Sequence, residues 1–266
     1  MIILMHSSKT MRPPTGDHGH PTPGVPALLA RSTELITYLR TLSADQLRRM
    51  MAVSTELAQR TRQQYAEWTT TPQHQSPAAA TFVGDIYSGL QIDTFGPADR
   101  SHADAHLRIL SGLYGILRPF DGVCPYRLEM GYRLPAEPYA NLYRYWADSI
   151  AAQLPATGRI VNLAANEYSK AVLPHVDPGR VVTPRFRTVD PASGEPKFVV
   201  VHAKIARGAF ARWLVSRRIA DTADPVAELR AFDDIGYRYD PASSTPDAPS
   251  FICQEFGGKG LSVRLT

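Results

Sequence analysis

The chain has 266 residues, of which 44% are hydrophobic and 20% are charged, with a formal net charge of +4. This is an ordinary globular composition whose mildly basic balance suits an anionic partner. Two cysteines, Cys124 and Cys253, give neither a zinc motif nor a disulfide framework. No apolar run approaches the ~20 residues of a membrane span, and the start lacks the pattern of a signal peptide. We therefore expect a soluble cytoplasmic protein with no membrane partner.

The first half of the chain is predicted to be mainly helical after an opening strand. The apolar run over residues 2–5 indicates a buried strand, and a loop rich in Pro, Gly and His follows over residues 11–26. Apolar residues at helical spacing predict helices over residues 26–42 and 42–68. Ser43 is the expected N-cap of the second, and Gln46 completes a capping box.

The second half mixes strands with helices. We predict a helix passing into a strand over residues 100–117, an amphipathic helix over 139–154, a strand, turn and short helix over 159–174, a basic helix over 204–220, and strands over 180–186, 197–203, 235–240 and 250–256. No repeat or domain boundary is evident. The lack of regular βαβ alternation favours an α+β fold, a single domain over residues 1–256 with a flexible tail over 257–266.

The predicted basic helix carries the strongest charge pattern. No acidic residue lies between Glu195 and Asp221, and six basic residues do. On a helical projection Lys204, Arg207 and Arg218 fall within roughly 60° of one another. Such a cluster either binds phosphate or carboxylate groups or forms a solvated face, and the absence of acids favours anion binding.

The segment RPFDGVCPYRLEMG embeds charged residues among apolar ones. Arg118, Asp121, Arg127 and Glu129 must therefore pair with one another or face a cleft. Either an arginine forms a structural pair with Glu129, or Arg118 or Arg127 presents its guanidinium to an anionic ligand.

Polar residues follow the opening strand. His6, Ser7, Ser8, Lys9 and Thr10 stand where that strand ends. The Ser-x-Lys spacing says nothing about the geometry of a nucleophile and its base. An anion site made of Lys9, the hydroxyls and backbone N–H groups is the better interpretation.

A second polar group follows the strand predicted near residue 160. Asn162, Asn166, Glu167, Tyr168 and Lys170 lie at the strand end and the start of a short helix. Ligands often bind at such strand ends in sheet proteins. Glu167 and Lys170 are either an acid/base pair or an ordinary i,i+3 ion pair.

Histidine spacing gives a weaker signal for metal. His102 and His106 share a helix face with Asp104 between them, and His18 and His20 lie in the early loop. With no third ligand on the face of His102 and His106, we predict no metal site. No sequence motif identifies a cofactor.

Several segments together resemble the YaaA family of bacterial peroxide stress proteins. They are GDIYSGL, HLRILSGLYGILRPFDGVCPYRLEMG, LYRYWADSI, NLAANEYSKAV and FVVVHAKIARGAFARWLV, with an opening strand and a lysine-containing loop. The resemblance implies a single-domain fold with a mixed sheet, surrounding helices and a positively charged cleft. It also implies protection against hydrogen peroxide by restraining free iron and DNA damage, and DNA binding, including through a helix-hairpin-helix-like element. The motif positions carried over are Lys9, Thr10, Arg118, Arg127, Glu129, Asn162, Glu167, Tyr168, Lys170, Lys204 and Arg207.

Two functions remain open for these residues, besides a non-catalytic partner-binding role. One is binding of nucleic acid in the basic cleft. The other is an enzyme acting on a small anionic metabolite, suggested where His6, Ser7 and Asn166 depart from the family pattern. In that enzyme His6 or Glu167 would be the acid/base, and Lys9 would hold the anion with two arginines, Arg118 and Arg207.

Overall fold

The opening apolar run forms the central strand of the larger sheet. The structure is a computed structural model that describes residues 1–12 and 23–259. Most of the predicted loop over residues 11–26, with His18 and His20, and the end of the predicted tail lie outside the described residues.

Ten α-helices are formed by the described residues. They are α1 (Leu29–Leu39), α2 (Ala44–Met51), α3 (Thr55–Glu67), α4 (Ala78–Thr81), α5 (Asp85–Leu90), α6 (Pro97–His106), α7 (Leu142–Trp146), α8 (Asn166–Ser169), α9 (Val200–Ser216) and α10 (Pro225–Glu228).

Thirteen strands accompany them in the same part of the chain. They are β1 (Ile2–His6), β2 (Thr10–Met11), β3 (Ser76–Pro77), β4 (Phe82–Val83), β5 (Leu107–Ser111), β6 (Gly115–Leu117), β7 (Gly122–Val123), β8 (Ile160–Asn162), β9 (Val181–Val182), β10 (Arg185–Val189), β11 (Pro196–Lys197), β12 (Tyr237–Tyr239) and β13 (Ser250–Cys253).

The larger sheet has five strands in the order β6-β5-β1-β8-β9. Strand β1 is parallel to both neighbours, with His6 opposite Leu110 of β5 and Leu4 opposite Asn162 of β8. Only β6 runs antiparallel within it. Every residue of β1 is buried, which explains its unbroken apolar run.

The smaller sheet has four strands in the order β11-β10-β13-β12, of which β10 and β13 are parallel. Helix α9 packs on it through an aromatic cluster in which Phe210 contacts Phe186 and Phe251, with ring centroids 5.6 Å and 5.4 Å apart. One continuous apolar core joins the two sheets. The fold is α+β, a single domain of mixed sheets and helices, as predicted.

Helices α5 and α9 cross at two glycines. A Cβ atom on Gly89 would lie 2.1 Å from the carbonyl oxygen of Ile205, and one on Gly208 would lie 1.8 Å from that of Ile86. No side chain fits in either place, so the glycines allow the two backbones to touch. This crossing fixes the position of the basic helix.

Several local predictions are confirmed. The opening strand and those near residues 160, 237 and 251 are present. Ser43 accepts a hydrogen bond from the N–H of Gln46, whose side chain returns one to the N–H of Ser43, so the capping box is formed. No helix in the described ranges combines the length and apolar character needed to cross a membrane.

Three local predictions are wrong. The helix predicted over residues 42–68 is two helices, because Ala52 adopts a left-handed conformation with φ 51°. Ala147, whose φ is also positive at 45°, ends α7 early in the helix predicted over residues 139–154. The strand predicted over residues 197–203 becomes helix α9 at Val200, since packing of α9 against α5 and the smaller sheet overrides the β propensity of the valines.

Candidate functional site

The carboxyl end of β1 lies at the point where the strand order of the larger sheet reverses. From β1 the chain passes to β5 on one side, and it later returns to β8 on the other. Open parallel sheets commonly bind ligands at such a point, because the loops after the two strands run in opposite directions. His6 ends β1, and Ala165 follows the neighbouring strand β8.

His6 is held as a neutral hydrogen-bond donor. Its Nδ1 accepts from the backbone N–H of Ala165 at 3.2 Å, so the neutral ring carries its proton on Nε2. The ring is 8% exposed and stacks on Tyr168 with centroids 5.1 Å apart. Burial, followed by the charges of Arg207 and Lys204, lowers the pKa of His6 to about 3. The ring is therefore uncharged at neutral pH.

Ser7 lies within a group of buried hydroxyls. It is 4% exposed, and its side chain interacts with the hydroxyls of Tyr126 and Tyr168. The Tyr126 hydroxyl also contacts Ser111 Oγ at 2.7 Å. Burial raises the pKa of Tyr126 to about 12 and raises that of Tyr168 as well. All these hydroxyls keep their protons at neutral pH and can donate hydrogen bonds.

Helix α9 directs two cations toward this group. Both Lys204 and Arg207 are close enough to His6 to lower its pKa. Burial alone lowers the pKa of the Arg207 guanidinium below its usual range. Among residues 1–12 and 23–259, no carboxylate or hydrogen-bonding group pairs with the side chain of Lys204 or Arg207.

Lys9, in the loop after β1, and Arg127, which contacts it, add two further cations. Lys9 Nζ lies 3.0 Å from Glu129 Oε1, in a pair whose lysine is 59% exposed and whose glutamate is 10% exposed. Arg127 donates to the backbone oxygen of Lys9 at 3.4 Å. The Nε of Arg127 is buried and has no partner in the described part of the chain. Among the described residues Glu129 thus pairs with Lys9 and not with an arginine, so the predicted Arg–Glu pair is not formed.

Glu167 joins the site through the backbone. Its Oε1 accepts from the N–H of Gly131 at 2.8 Å, and a Cβ on Gly131 would lie 2.9 Å from that oxygen. Lys170 is exposed, and no ion pair with Glu167 is formed. We call His6, Ser7, Lys9, Tyr126, Arg127, Glu129, Glu167, Tyr168, Lys204 and Arg207 the carboxyl-end cluster.

Other candidate residues have structural partners. Ser8 donates to the carbonyl of Val83 and accepts from the N–H of Thr10, which is exposed. Asn162 contacts Thr183 at 3.4 Å and accepts from the N–H of Ala164 at 3.2 Å. These contacts shape the loops after β1 and β8.

Arg118 and Arg218 point to other partners. Arg118 is exposed and lies 3.7 Å from Asp104. Arg218, beyond the end of α9, pairs with Asp99 at 2.8 Å, so the three-residue cluster predicted on the basic helix is reduced to Lys204 and Arg207. Asn166 is exposed at the start of α8.

Sequence reasoning did not select Tyr126 or Gly131. Both stand in the quoted segment PYRLEMG, and only the fold shows that Tyr126 reaches Ser7 and that Gly131 admits Glu167. A cavity of about 780 Å³ also adjoins the cluster. It is lined by Met11, whose sulfur accepts from the N–H of Tyr126 at 3.3 Å, and further by Trp68, His74 and Cys124.

Comparison with known proteins places the chain in a family. The family model described as Peroxide stress protein YaaA matches residues 1–243. A UPF0246 protein of Salinispora tropica is 60% identical over 264 residues, covering 99% of this chain and 98% of its relative. UPF0246 proteins of Marinomonas sp. and Roseobacter denitrificans are 40% and 42% identical, covering 87% and 80% of this chain and 89% and 84% of those proteins. With the resemblance noted in its motifs, these matches show that the chain belongs to the YaaA peroxide stress protein family.

Proposed function

We propose that this protein acts in the cytoplasm in protection against peroxide, and that it binds the phosphates of nucleic acid in a basic cleft formed by the carboxyl-end cluster. Membership of the peroxide stress protein family supports the peroxide role. The main support for an anionic ligand comes from Arg207. Its guanidinium is partly buried and has no acidic partner among the described residues.

An unpaired buried cation is costly, so its presence indicates a ligand that supplies the negative charge. The cluster contains four cations, Lys9, Arg127, Lys204 and Arg207, against two carboxylates. The hydroxyls of Ser7 and Tyr168 and the Nε2–H of His6 can donate to the same anion. Phosphate and carboxylate groups suit such a set of donors.

The helical hairpin of α2 and α3 is the other surface that the resemblance suggests for DNA. Its turn at Ala52 is left-handed, and Ser54 caps α3. The two arginines of α2, Arg48 and Arg49, both pair with Asp45. This hairpin therefore offers fewer unpaired cations than the carboxyl-end cluster, where we place the main phosphate contact.

Salt dependence of DNA binding tests the proposal. We expect a labelled duplex to bind the full chain at low salt, with affinity falling steeply as salt rises. Arg207→Gln should reduce the salt slope by about 1, the loss of one phosphate contact. The matched control is Arg217→Gln, because Arg217 is exposed at the end of the same helix. Absence of binding at low salt would contradict the nucleic-acid ligand, and equal effects of the two variants would contradict the site.

A second candidate is an enzyme acting on a small anionic metabolite. It is favoured by the burial of Ser7 and His6, which a small ligand reaches more readily than a duplex does. His6 would then serve as a donor, since the backbone N–H of Ala165 occupies its other nitrogen. Glu167 would be the acid/base, and Lys9 would hold the anion.

Thermal-shift screening with nucleotides, amino acids and aromatic acids tests this candidate. A stabilising compound whose effect persists in Arg217→Gln and disappears in Arg207→Gln and Lys9→Ala would support it. A compound that is unaffected by both cleft substitutions binds elsewhere and would contradict it.

A further inference from the structure

A second polar cluster lies at the opposite end of the larger sheet. His102 and His106 stand one helical turn apart on α6, just before β5, and Asp221 ends a short 3₁₀ turn, Ile219–Asp221, that follows α9. One ligand atom from each residue lies within 4.8 Å of the other two. We call these three residues the amino-end cluster. It supplies the third ligand that the sequence spacing alone did not reveal.

The hydrogen bond on the far side of His106 sets its protonation. Its Nδ1 lies 2.8 Å from the carbonyl oxygen of Met1, which can only accept, so Nδ1 carries the proton. In the neutral ring, Nε2 then presents a lone pair to Asp221 Oδ1 at 3.7 Å. Two acceptors therefore face one another, and a cation between them satisfies both. Metal-binding histidines commonly donate their second N–H to a carbonyl in this way.

His102 presents a ring nitrogen to the same carboxylate. The residue is 8% exposed; its buried Nε2, which has no hydrogen-bond partner among the described residues, lies on the other side of the ring. Its Nδ1 lies 3.5 Å from Asp221 Oδ2. That distance is too long for a good N–H···O hydrogen bond. It is close to the spacing of about 3.4 Å between ligand atoms bound at 2.0–2.1 Å around a tetrahedral zinc ion.

The surroundings leave this cluster open to an ion. Asp221 has a side chain that is 58% exposed, so an ion can enter from solvent. The nearby Arg218 pairs with Asp99 at 2.8 Å and does not neutralise Asp221. Two imidazole nitrogens and one carboxylate suit zinc and other first-row transition metals better than calcium or magnesium.

We propose that His102, His106 and Asp221 bind one divalent transition-metal ion, with water completing its coordination. The ion would tie α6 to the segment that follows α9. This proposal does not depend on the proposed anion site.

Cobalt binding to the tag-free full chain, after treatment with a chelator, tests the site. We expect one Co²⁺ per chain with a visible absorption band, displaced by Zn²⁺. Asp221→Asn, at an exposed position, should weaken Co²⁺ binding at least about 10-fold, as should His106→Asn. Asp104→Asn is the matched control, because Asp104 lies on the same helix and faces Arg118 instead.

The double variant His18→Ala/His20→Ala examines the other histidine pair in the sequence. It should leave cobalt binding unchanged. The proposal is overturned if Co²⁺ does not bind the native chain, if Asp221→Asn binds it as the native chain does, or if the band is lost only in the double variant.

Discussion

The two ends of the larger sheet lack opposite kinds of hydrogen-bond or charge partner. At the carboxyl end, Lys204, Arg207 and the Nε of Arg127 are donors without partners among the described residues. At the amino end, the lone pair of His106 faces the carboxylate of Asp221. Unpaired donors indicate a missing anion, whereas opposed acceptors indicate a missing cation. The sign of the uncompensated polarity therefore distinguishes the two sites proposed on this sheet.

Two elements connect these ends. Met1, directly before β1, places its carbonyl against His106 of one cluster, and β1 ends at His6 of the other. Helix α9 carries Lys204 and Arg207 near its start, and the chain reaches Asp221 soon after its end. Anything that displaces α9 should therefore affect both clusters, whereas a change at one end should leave the other intact.

Disruption of the α5–α9 crossing should have the largest effect. The new Cβ of Gly208→Ala would lie 1.8 Å from the carbonyl oxygen of Ile86, so the helices must separate. We expect a loss of at least about 3 kcal/mol of unfolding free energy, measured by urea denaturation. Gly257→Ala, whose Cβ meets nothing closer than 3.7 Å, is the control. Near-native stability of Gly208→Ala would contradict the role of this crossing.

The pH dependence of stability separates His6 from exposed histidines. The pKa of His6 is about 3 in the folded chain, against 6.5 for the solvated side chain of the unfolded state, so the unfolded state binds more protons between these pH values. The contribution of the neutral His6 ring to the free energy of unfolding is present above pH 6.5 and is lost as pH falls toward 3. At pH 4.5 the loss is about 2 to 3 kcal/mol.

His6→Gln should therefore lose less stability than the native chain between pH 7 and pH 4.5, as measured by urea unfolding at both pH values. His175→Gln is the control, because His175 is exposed. If His6→Gln and His175→Gln show the native pH slope, His6 is not a buried neutral ring.

Removal of the unpaired charge at the carboxyl end should stabilise the ligand-free protein. Arg207→Met keeps an extended side chain and removes the desolvated guanidinium. We therefore expect the free energy of unfolding, measured by thermal denaturation, to rise by about 1 kcal/mol. Anion binding should be lost in the same variant. Arg217→Met should change neither property, and a marked loss of stability in Arg207→Met would show that the guanidinium already has a stabilising partner.

The smallest effect is expected at the surface beside the amino-end cluster. Asp104 and Arg118 lie 3.7 Å apart, with side chains 38% and 60% exposed. Such exposed pairs contribute less than about 1 kcal/mol, so Asp104→Asn should barely change the melting temperature. A large change would mean that α6 depends on this pair, and that Asp104→Asn is not a neutral control for Asp221→Asn.

The sequence predicted which residues lie at strand ends better than it predicted which residues they contact. The apolar run before His6 and the capping box at Ser43 are local signals, and both are confirmed. The contacts of Ser7 with Tyr126 and of His106 with Asp221 join residues more than a hundred positions apart. Such contacts follow from the order of strands and the helix crossing, which local periodicity does not encode.

The start of α9 is a second feature that local sequence patterns do not predict. The residues around Val200 have strand propensity, yet they form the first turn of a helix. The decisive residue is Gly208, eight positions later, which allows α9 to touch α5. The helix propensity of glycine is low, so a glycine inside an apolar helix appears unfavourable from the sequence. Its value lies in the close packing of two helices.

The most direct test of the central claim is anomalous diffraction from crystals of the full chain soaked in tungstate, a heavy-atom analogue of a tetrahedral oxyanion. The structure predicts an anomalous peak within hydrogen-bonding distance of Arg207, near Lys204 and the Ser7 hydroxyl. A fully soaked crystal with no peak there, or with peaks only on the outer surface, would contradict an anion site at the carboxyl end of β1.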